Sequence, residues 1–237
     1  TAGVAHEINN PTAVILGNLD VIIDEMGEQL EPVQNEIDLV ISQIYRIKDI
    51  TDNLLQYAKP GVYAGYMTDV NVNTTIKETM KLLQHLRLET DYQFDLTLDA
   101  SLLININEQE LQQVLINLMS NAIQALPDRD GEIAISTRDI GQSGVEIIIE
   151  DNGHGMDQEM ISRIFNPFYT TKDQGEGTGL GLSISFSLVT RYGGNIDVSS
   201  NANIGTQFTV FLYCTPVMVE DEKMILKQLE EIEADTA

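Results

Sequence analysis

A glycine-rich segment, GEGTGLGL from Gly175 to Leu182, has the composition of a phosphate-binding loop. Its four glycines stand at alternate positions and run directly into SISFSLVTRYGG, which has a helical pattern. Glycine has no Cβ, so its backbone amides can approach a ligand closely, and a following helix adds the positive end of its dipole. This combination favours binding of phosphate. The segment differs from a P-loop because no Lys-Ser/Thr pair follows the glycines.

Two asparagines in LINLMSNAIQAL, Asn117 and Asn121, lie one helical turn apart, with Gln113 a turn earlier. A polar stripe facing solvent is the simpler explanation for a single asparagine. Two of them among leucine and isoleucine residues are harder to explain in that way, because asparagine is a poor helix former. Neutral amide oxygens suit a magnesium ion that is already bound to phosphates, where a further carboxylate would repel a triphosphate. With a phosphate site nearby, we interpret the pair as magnesium ligands.

The turn DNGHGM, from Asp151 to Met156, follows the apolar run EIIIE, which predicts a strand. Taken alone, it is most simply a surface turn of the Asp-Asn-Gly kind. A carboxylate at the end of a strand can also accept a hydrogen bond from the exocyclic amine of adenine, with Gly155 leaving room for the base. Guanine has an acceptor at that position, so Asp151 would favour adenine.

Between these two motifs lies RIFNPFYTTKDQ, a segment too long for a simple turn. Loops of this length in compact domains are usually lids or disordered. Phe165 and Phe168 are expected to anchor such a lid on the domain. Thr170, Thr171 and Lys172 would then face the phosphates, although an ordinary solvated surface position explains Lys172 equally well.

Near the N-terminus, AHEINNP places His6 and Asn10 on one helical face, with Glu7 beside the histidine. His85 and His154 are interpreted as structural or exposed, the usual explanation for a single histidine. His6 differs because an acidic neighbour can accept its proton and leave the other ring nitrogen nucleophilic toward a phosphoryl group. Asn10 would be placed to orient a water molecule for the reverse hydrolysis.

Charge and composition exclude several classes of function. The chain has 237 residues, 43% of them hydrophobic, which is enough for one large domain or two small ones. Its 37 acidic and 13 basic residues give a net charge of -24, which opposes binding to nucleic acid and to anionic lipid. The single Cys214 permits no internal disulfide and fits a reducing compartment. The chain begins without methionine and within a helical pattern, so we expect a fragment of a longer protein.

The pattern divides the chain into four parts: a helical hairpin at 1–60, a linker at 61–68, a mixed domain at 69–215 and an acidic tail at 216–237. In the hairpin, apolar residues recur at spacings of three, four and seven on both sides of GEQLEP, which predicts two helices joined by a short turn. One hairpin cannot bury both apolar stripes, so two copies are expected to form a four-helix bundle. Pro11 predicts a kink in the first helix.

Helix-capping residues and the alternation of apolar and polar residues predict the helices and strands of the mixed domain. Asn73 is expected to cap a helix that extends to about Leu88, and Asn107 with Glu110 resembles a capping box for a helix that ends at Leu126. Strands are predicted at residues 92–98 and in GEIAISTRDI, GVEIIIED, NIDVSS and TQFTVFLY. The predicted class is therefore α+β: a hairpin that pairs into a dimeric four-helix bundle, followed by a two-layer α/β sandwich.

Taken together, the motifs resemble those of bacterial sensor histidine kinases of two-component systems, over nearly the whole chain up to about Cys214. HEINNP resembles the phospho-acceptor box, NLMSNAIQAL the asparagine box, DNGHGM the first glycine box, IFNPFYTTK the phenylalanine box and GEGTGLGLSIS the second glycine box. GTQF, from Gly205, resembles the small motif that closes the adenine pocket. Each motif alone is weak, whereas the five in this order are highly specific.

The resemblance implies a dimerisation and histidine-phosphotransfer hairpin followed by an ATP-binding domain of the type shared with type II topoisomerases and mismatch-repair ATPases. It implies that Asn121, helped by Asn117, coordinates Mg²⁺, that Asp151 reads adenine and that Thr206 lies near the adenine pocket. The other implied nucleotide contacts are Gly153, Gly155, Phe168, Thr170, Thr171, Lys172, Gly175, Gly177, Thr178, Gly179, Leu180 and Gly181.

The same resemblance implies a reaction. Glu7 would act as general base while His6 attacks the γ-phosphorus of ATP, and magnesium, Lys172 and the glycine amides would offset charge on the transferred oxygens. His6 would then pass its phosphoryl group to an aspartate of a response-regulator receiver domain, and Asn10 would serve the dephosphorylation of that partner. A homodimer in the cytoplasm is implied, either free or as the cytoplasmic part of a membrane-anchored sensor.

Two alternatives belong to other classes. One is a related ATPase clamp whose hairpin only dimerises, and the other is a nucleotide-binding scaffold without kinase activity. The pair His6 and Glu7 favours the kinase over the clamp, because such an ATPase does not need it. The complete set of asparagines, Asp151 and lid glycines argues against a scaffold with a decayed site.

Overall fold

The computed structural model of this protein describes residues 2–58, 67–83, 92–126, 130–172 and 177–216. The chain divides into two compact units, Thr1–Tyr63 and Ala64–Ala237. The linker expected at 61–68 and the acidic tail expected at 216–237 lie almost wholly outside the described residues.

The first unit consists of α1 (Ala2–Met26), a 3₁₀ helix (Gly27–Val33) and α2 (Gln34–Ala58), and α1 packs against α2. The two predicted helices are confirmed, with the 3₁₀ helix in place of a simple turn. Many apolar side chains of this unit are nevertheless exposed: Ile8, Val14, Ile15, Val21, Ile22, Met26, Val33, Leu39, Val40 and Ile47. One copy of the hairpin therefore leaves a broad apolar surface uncovered.

Pro11 lies inside α1, where it cannot donate a backbone hydrogen bond. The hydroxyl of Thr12 lies within hydrogen-bonding distance of two carbonyls of the preceding turn, those of Asn9 (2.8 Å) and Ile8 (3.1 Å). Side-chain bonding of this kind is often found where helices bend. The kink at Pro11 stays a prediction.

The second unit is built from strands and helices that alternate irregularly along the chain. In order they are β1 (Thr68–Val70), α3 (Val72–Leu82), β2 (Tyr92–Leu98), β3 (Ile104–Ile106), α4 (Glu108–Ala125), β4 (Gly131–Ile140), β5 (Gly144–Asp151), α5 (Gln158–Ile161), α6 (Gly181–Arg191), β6 (Asn195–Asn201) and β7 (Gly205–Tyr213). All five predicted strands are present. The sequence missed β1 and β3, because three residues are too few to show alternation.

A mixed sheet of order β2-β4-β5-β7-β6 forms one layer, and β1 pairs with β3 separately. β2 runs parallel to β4, and the other neighbours are antiparallel. Alternate residues of the strands are buried in one core with α3, α4 and α6, including Ile133, Ile135, Ile147, Ile149 and Val210. The two-layer α/β sandwich predicted from the sequence is therefore confirmed.

The cap predicted for α3 is wrong: Asn71, not Asn73, caps this helix. The side-chain oxygen of Asn71 accepts the N–H of Thr74 at 3.1 Å, and α3 extends to Leu82. The predicted end at Leu88 lies outside the described residues. Asn73 lies within the helix and bonds to groups on other elements: the carbonyls of Leu98 (3.2 Å) and Ala100 (2.8 Å) and the hydroxyl of Thr137 (2.7 Å). Either asparagine could cap α3, and these distant partners of Asn73 decide which one does.

The cap predicted for α4 is confirmed, but its capping box is only half formed. The side-chain oxygen of Asn107 accepts the N–H of Glu110 at 3.1 Å. The Glu110 carboxylate bonds instead to Arg191 and Tyr192 at the end of α6. The Asn107 N–H that a capping box would satisfy donates to the Tyr192 hydroxyl at 3.3 Å. A residue 85 positions away thus completes the cap.

The two asparagines of α3 give a direct test of this arrangement. Asn71→Ala removes one exposed cap and is expected to lower the free energy of unfolding by about 1 kcal/mol. Asn73→Ala leaves partly buried groups on two strands without their partner, so we expect a loss of about 2 to 3 kcal/mol. Urea denaturation followed by circular dichroism measures both. Equal losses, or a larger loss for Asn71→Ala, would contradict the cross-linking role of Asn73.

Candidate functional site

Two of the predicted motifs meet where α4 and β5 end. The N–H of His154 donates to the carbonyl of Ala125, the last residue of α4, at 2.9 Å. Gly153 lies so close to the same carbonyl that a Cβ at that position would overlap it. The turn after β5 is therefore fastened to the end of α4, one helical turn beyond Asn121. This contact brings Asn121 and Asp151 to the same end of the domain.

Asp151 is the last residue of β5 and is only 6% exposed. Its carboxylate accepts the N–H of Gly153 at 2.9 Å, and it also bonds to the backbone of Thr206, which lies opposite on β7. Burial raises the pKa of Asp151 and outweighs these two hydrogen bonds, which lower it. The site therefore holds an acceptor carboxyl that is poorly solvated.

Two glycines with positive φ bring the backbone close around Asp151. Gly155 has φ 61°, and a Cβ there would overlap the carbonyl of Asn201. Gly205 has φ 138°, and a Cβ there would overlap the carbonyl of Asp151. The β6–β7 hairpin consequently lies directly against the DNGHGM turn, and Asn203 donates its N–H to the His154 carbonyl at 2.6 Å.

Ser200 is a member of this site that the sequence analysis missed. Its buried hydroxyl accepts the N–H of Met156 at 2.8 Å, donates to the carbonyl of Gly205 at 2.9 Å and lies 2.9 Å from the hydroxyl of Thr206. It thereby joins the turn after β5 to the start of β7. The feature that identifies Ser200 as part of the site is the strand register, which sets it directly opposite Thr206. That register is visible only once the two strands are paired.

Asn117 and Asn121 differ in their contacts. The amide of Asn117 donates to the carbonyl of Gly181 (2.9 Å) and the hydroxyl of Ser185 (3.1 Å). Its oxygen accepts a hydrogen bond from Gln113 (3.1 Å). Asn121 is half-buried, and its side chain makes no hydrogen bond within the part of the chain that the structure describes. Asn117 thus fastens α6 to α4, and its predicted help in holding magnesium stays a prediction.

The glycine-rich segment is described from Gly177 onward, so Gly175 lies outside the described residues. Gly179 has φ 65°, and a Cβ there would overlap the backbone of Phe168, whose N–H donates to the Gly179 carbonyl at 2.9 Å. The hydroxyl of Thr178 accepts the N–H of Leu180 at 3.3 Å. Among the described residues, no side chain caps the first turn of α6, so its amides are suited to bind an anion.

The two aromatic residues of the preceding loop behave differently. Phe165 is buried and stacks on Phe186 of α6 with ring centroids 5.0 Å apart, so its predicted anchoring role is confirmed. Phe168 is 61% exposed, so the same expectation is wrong for this residue. The physical reason is that Phe168 contacts the glycine-rich segment through its backbone. It adopts φ 66° there, a strained conformation that is often found at functional sites.

Thr170 and Thr171 are exposed, and Lys172 is half-buried. The hydroxyl of Thr170 accepts the N–H of Lys172 at 3.2 Å, and Gly177 packs against both residues. The Lys172 ammonium donates to the side-chain carbonyl of Gln124 on α4. Because Gln124 is three residues beyond Asn121 on α4, this contact holds the Lys172 ammonium near that asparagine.

A magnesium ion bound through phosphates needs only one or two protein ligands. No group of three or more His, Cys, Asp or Glu side chains that could hold a metal alone is present among the residues with described positions. Asn121 lies on α4 between Asn117, which contacts Gly181, and Gln124, which contacts Lys172, so its half-buried amide offers a neutral oxygen near the glycine-rich segment. This donor set fits an ion that arrives with a triphosphate.

His6, Glu7 and Asn10 all lie in α1. Asn10 is exposed, and the side chains of His6 and Glu7 are outside the described part of the structure. Their roles as phospho-acceptor and general base stay predictions.

Comparison with known proteins gives two matching family models. Residues 1–61 match the His Kinase A (phospho-acceptor) domain, and residues 106–216 match the histidine kinase-, DNA gyrase B- and HSP90-like ATPase. A solved catalytic domain of histidine kinase ThkA is 31% identical, with a TM-score of 0.57 over 64% of this chain and 100% of that one. ThkA solved in complex with response regulator protein TrrA is 28% identical, with a TM-score of 0.63 over 91% of this chain and 61% of that one.

Similar curated proteins are the signal transduction histidine-protein kinase AtoS of Escherichia coli and sporulation kinase A of Bacillus subtilis. They are 35% and 34% identical over 91% and 88% of this chain. The chain spans 34% and 33% of their lengths. None of the described helices is both long and apolar enough to cross a bilayer. Because both models match in order and a solved catalytic domain is matched over its full length, the chain belongs to the bacterial sensor histidine kinase family.

Proposed function

We propose that this chain is the kinase core of a two-component sensor, which uses ATP to phosphorylate His6 and passes the phosphoryl group to an aspartate of a response regulator. The observation that carries this proposal is the convergence of Asn121, Asp151 and the first turn of α6 at one end of the second unit. The family assignment and the complex of ThkA with a response regulator support a response regulator as the partner.

The adenine of ATP is recognised at the end of β5. Asp151 accepts a hydrogen bond from the exocyclic amine. The expectation that Gly155 leaves room for the base is wrong, because the backbone of Asn201 occupies that space. Thr206, whose backbone bonds to the Asp151 carboxylate, and its neighbour Ser200 would lie beside the base. The phosphates extend toward the glycine-rich segment and the first turn of α6, where backbone amides and the ammonium of Lys172 would donate to them. A bound triphosphate would draw Lys172 away from its neutral partner Gln124.

Magnesium would be held by the amide oxygen of Asn121 together with oxygens of the triphosphate. When bound, it supplies positive charge that offsets the charge of the phosphates. Asn117 keeps the first turn of α6 at a fixed distance from this ligand through its bonds to Gly181 and Ser185.

In the reaction, one ring nitrogen of His6 attacks the γ-phosphorus, a nitrogen–phosphorus bond forms, and the bond to the bridging oxygen breaks so that ADP leaves. The other ring nitrogen gives its proton to Glu7. Lys172 and the backbone amides stabilise charge on the transferred oxygens. A receiver aspartate then takes the phosphoryl group from His6, and Asn10 orients water for the hydrolysis of that product.

The working state is a homodimer. The exposed apolar side chains of α1 and α2 form a surface that one hairpin does not cover, and a second copy would bury it in a four-helix bundle. Sedimentation equilibrium at micromolar concentration distinguishes this state from a monomer.

Transfer from ATP labelled in its γ-phosphate tests the proposed function directly. The parent chain is expected to acquire a label that acid removes and alkali does not, because a phosphoramidate is acid-labile. His6→Gln should carry no label, whereas the matched control His85→Gln should keep it. A label that never attaches, or that attaches equally to His6→Gln, would contradict the proposal and favour the ATPase clamp or the scaffold.

Asp151→Asn separates recognition from stability. Because burial raises the pKa of Asp151, its ionised form is disfavoured in the folded protein. The contribution of Asp151 to the free energy of unfolding is therefore fully present below the pKa that its carboxyl has in the unfolded chain. This contribution is lost as pH rises through the pKa of Asp151 in the folded protein. At pH 7.5 the variant should melt at or above the temperature of the parent. ATP affinity should fall about 10- to 100-fold, because a hydrogen bond to a charged acceptor is lost.

Differential scanning fluorimetry and titration with a fluorescent ATP analogue measure the two effects of Asp151→Asn. The analogue should also bind the parent more weakly as pH falls through the raised pKa. A large fall in melting temperature with unchanged affinity would identify Asp151 as structural.

The two asparagines of α4 should respond differently to alanine. Asn121→Ala is expected to keep the melting temperature, because alanine is the better helix former, and to remove the enhancement of nucleotide binding by Mg²⁺. Asn117→Ala should lower the free energy of unfolding by about 1 to 3 kcal/mol, because it removes two hydrogen bonds from α4 to α6. Titrations with Mg²⁺ and with EDTA compare the variants. Full Mg²⁺ enhancement in Asn121→Ala would exclude it as a ligand.

A further inference from the structure

A line of polar contacts runs between α4 and α6, which we call the α4–α6 seam. Its members on α4 are three or four residues apart and therefore share one helical face. The seam consists of Glu110, Gln113 and Asn117 on one side and Gly181, Ser185, Arg191 and Tyr192 on the other. The first turn of α6 faces Asn117, and its end faces Glu110, so the two helices are antiparallel. Asn121 continues the same face of α4 toward the nucleotide site.

The end of the seam farthest from that site is a buried charged cluster. The carboxylate of Glu110 bonds to both the guanidinium of Arg191 and the hydroxyl of Tyr192. The side chains of Arg191 and Glu110 are only 7% and 14% exposed. The guanidinium carbon of Arg191 lies 5.2 Å from the centre of the Tyr192 ring.

A contribution to stability does not by itself explain this cluster. Arg191 has two buried nitrogens, Nε and Nη1, without a hydrogen-bond partner among the residues that the structure describes. A buried ion pair recovers its desolvation cost only when its remaining donors are satisfied, and apolar side chains of similar volume are often at least as stabilising. What this cluster adds, compared with an apolar contact of similar volume, is a set of hydrogen bonds with fixed directions.

Directional bonds at both ends of α6 fix its register along α4. Between the two ends, α4 and α6 contribute buried apolar side chains such as Val114, Ile184 and Leu188, whose contacts are non-directional. Asn117 fixes the first turn of α6, and Glu110 fixes its last residue, about 15 Å away at 1.5 Å per residue. With only one of these attachments, α6 could shift or tilt against α4.

We propose that Glu110, Arg191 and Tyr192 are positioning residues for the ATP reaction: they set the register of α6 along α4 and thereby the place of its phosphate-binding first turn relative to Asn121. All three lie at the opposite end of α6 from its first turn. The inference rests on the proposed function, because it assigns a task to residues outside the site that function defines.

The double variant Glu110→Leu/Arg191→Met separates positioning from stability. It removes both buried charges and keeps apolar volume, so its melting temperature should stay close to that of the parent. Its affinity for a fluorescent ATP analogue with Mg²⁺, measured on the full chain, should nevertheless fall about tenfold. The matched control is Glu146→Leu/Arg138→Met, which removes an ion pair of 2.6 Å between β5 and β4, outside the seam. The control should bind as the parent does.

A folded double variant with the affinity of the parent would overturn the positioning role. If the double variant does not fold, Tyr192→Phe takes its place, because it keeps the ion pair and the ring and loses only the hydroxyl that joins Glu110 to the cap of α4. Its affinity should fall about threefold, and an unchanged affinity would overturn the inference. Failure of the parent itself to bind the analogue would refute the proposed function, so the two failures are distinguishable.

Discussion

The hydrogen bond from His154 to the carbonyl of Ala125 is the constraint on which the nucleotide site depends. It joins the turn after the central strand β5 to the last residue of α4. Gly153 permits the contact because any side chain there would overlap the same carbonyl. Since a helix and a strand are both rigid over these lengths, this one attachment determines the separation of Asn121 and Asp151. Under the proposed function, this attachment places the residue that recognises adenine and the magnesium ligand at the same end of the domain as the first turn of α6.

Much of the site could be predicted from the sequence, because its parts obey local rules. Glycine at 179 is favoured by a positive φ and required by the contact with the backbone of Phe168, which a Cβ would overlap. Asn121 and Asp151 are unusual residues for a helix and for the end of an apolar strand, so the sequence pattern exposes them. The cap of α4 was also predictable, since Asn107 bonds to an amide three residues away.

The remainder depends on partners far away in the chain. Asn71 and Asn73 are equally good caps by local criteria, and bonds from Asn73 to residues more than twenty positions away decide between them. Ser200 becomes part of the site only through its pairing with Thr206. Phe168 has the composition of an anchor, yet its backbone makes the contact and its ring stays exposed. Local periodicity contains no information about such choices.

The strand order has a consequence for how the protein folds. β4 and β5 are joined by three residues and can pair early, whereas Asp151 and its partner Thr206 on β7 are about 55 positions apart in the chain. Closing that long loop costs conformational entropy. The packing of α6, which lies between β5 and β7 in the sequence, offsets part of this cost. We therefore expect β5 to pair with β7 after the β4–β5 hairpin has formed. A nascent chain without β7 would lack Thr206, the backbone partner of Asp151, and the strand that joins β6 to the sheet. Under the proposed function, ATP would bind only to a chain whose sheet is complete.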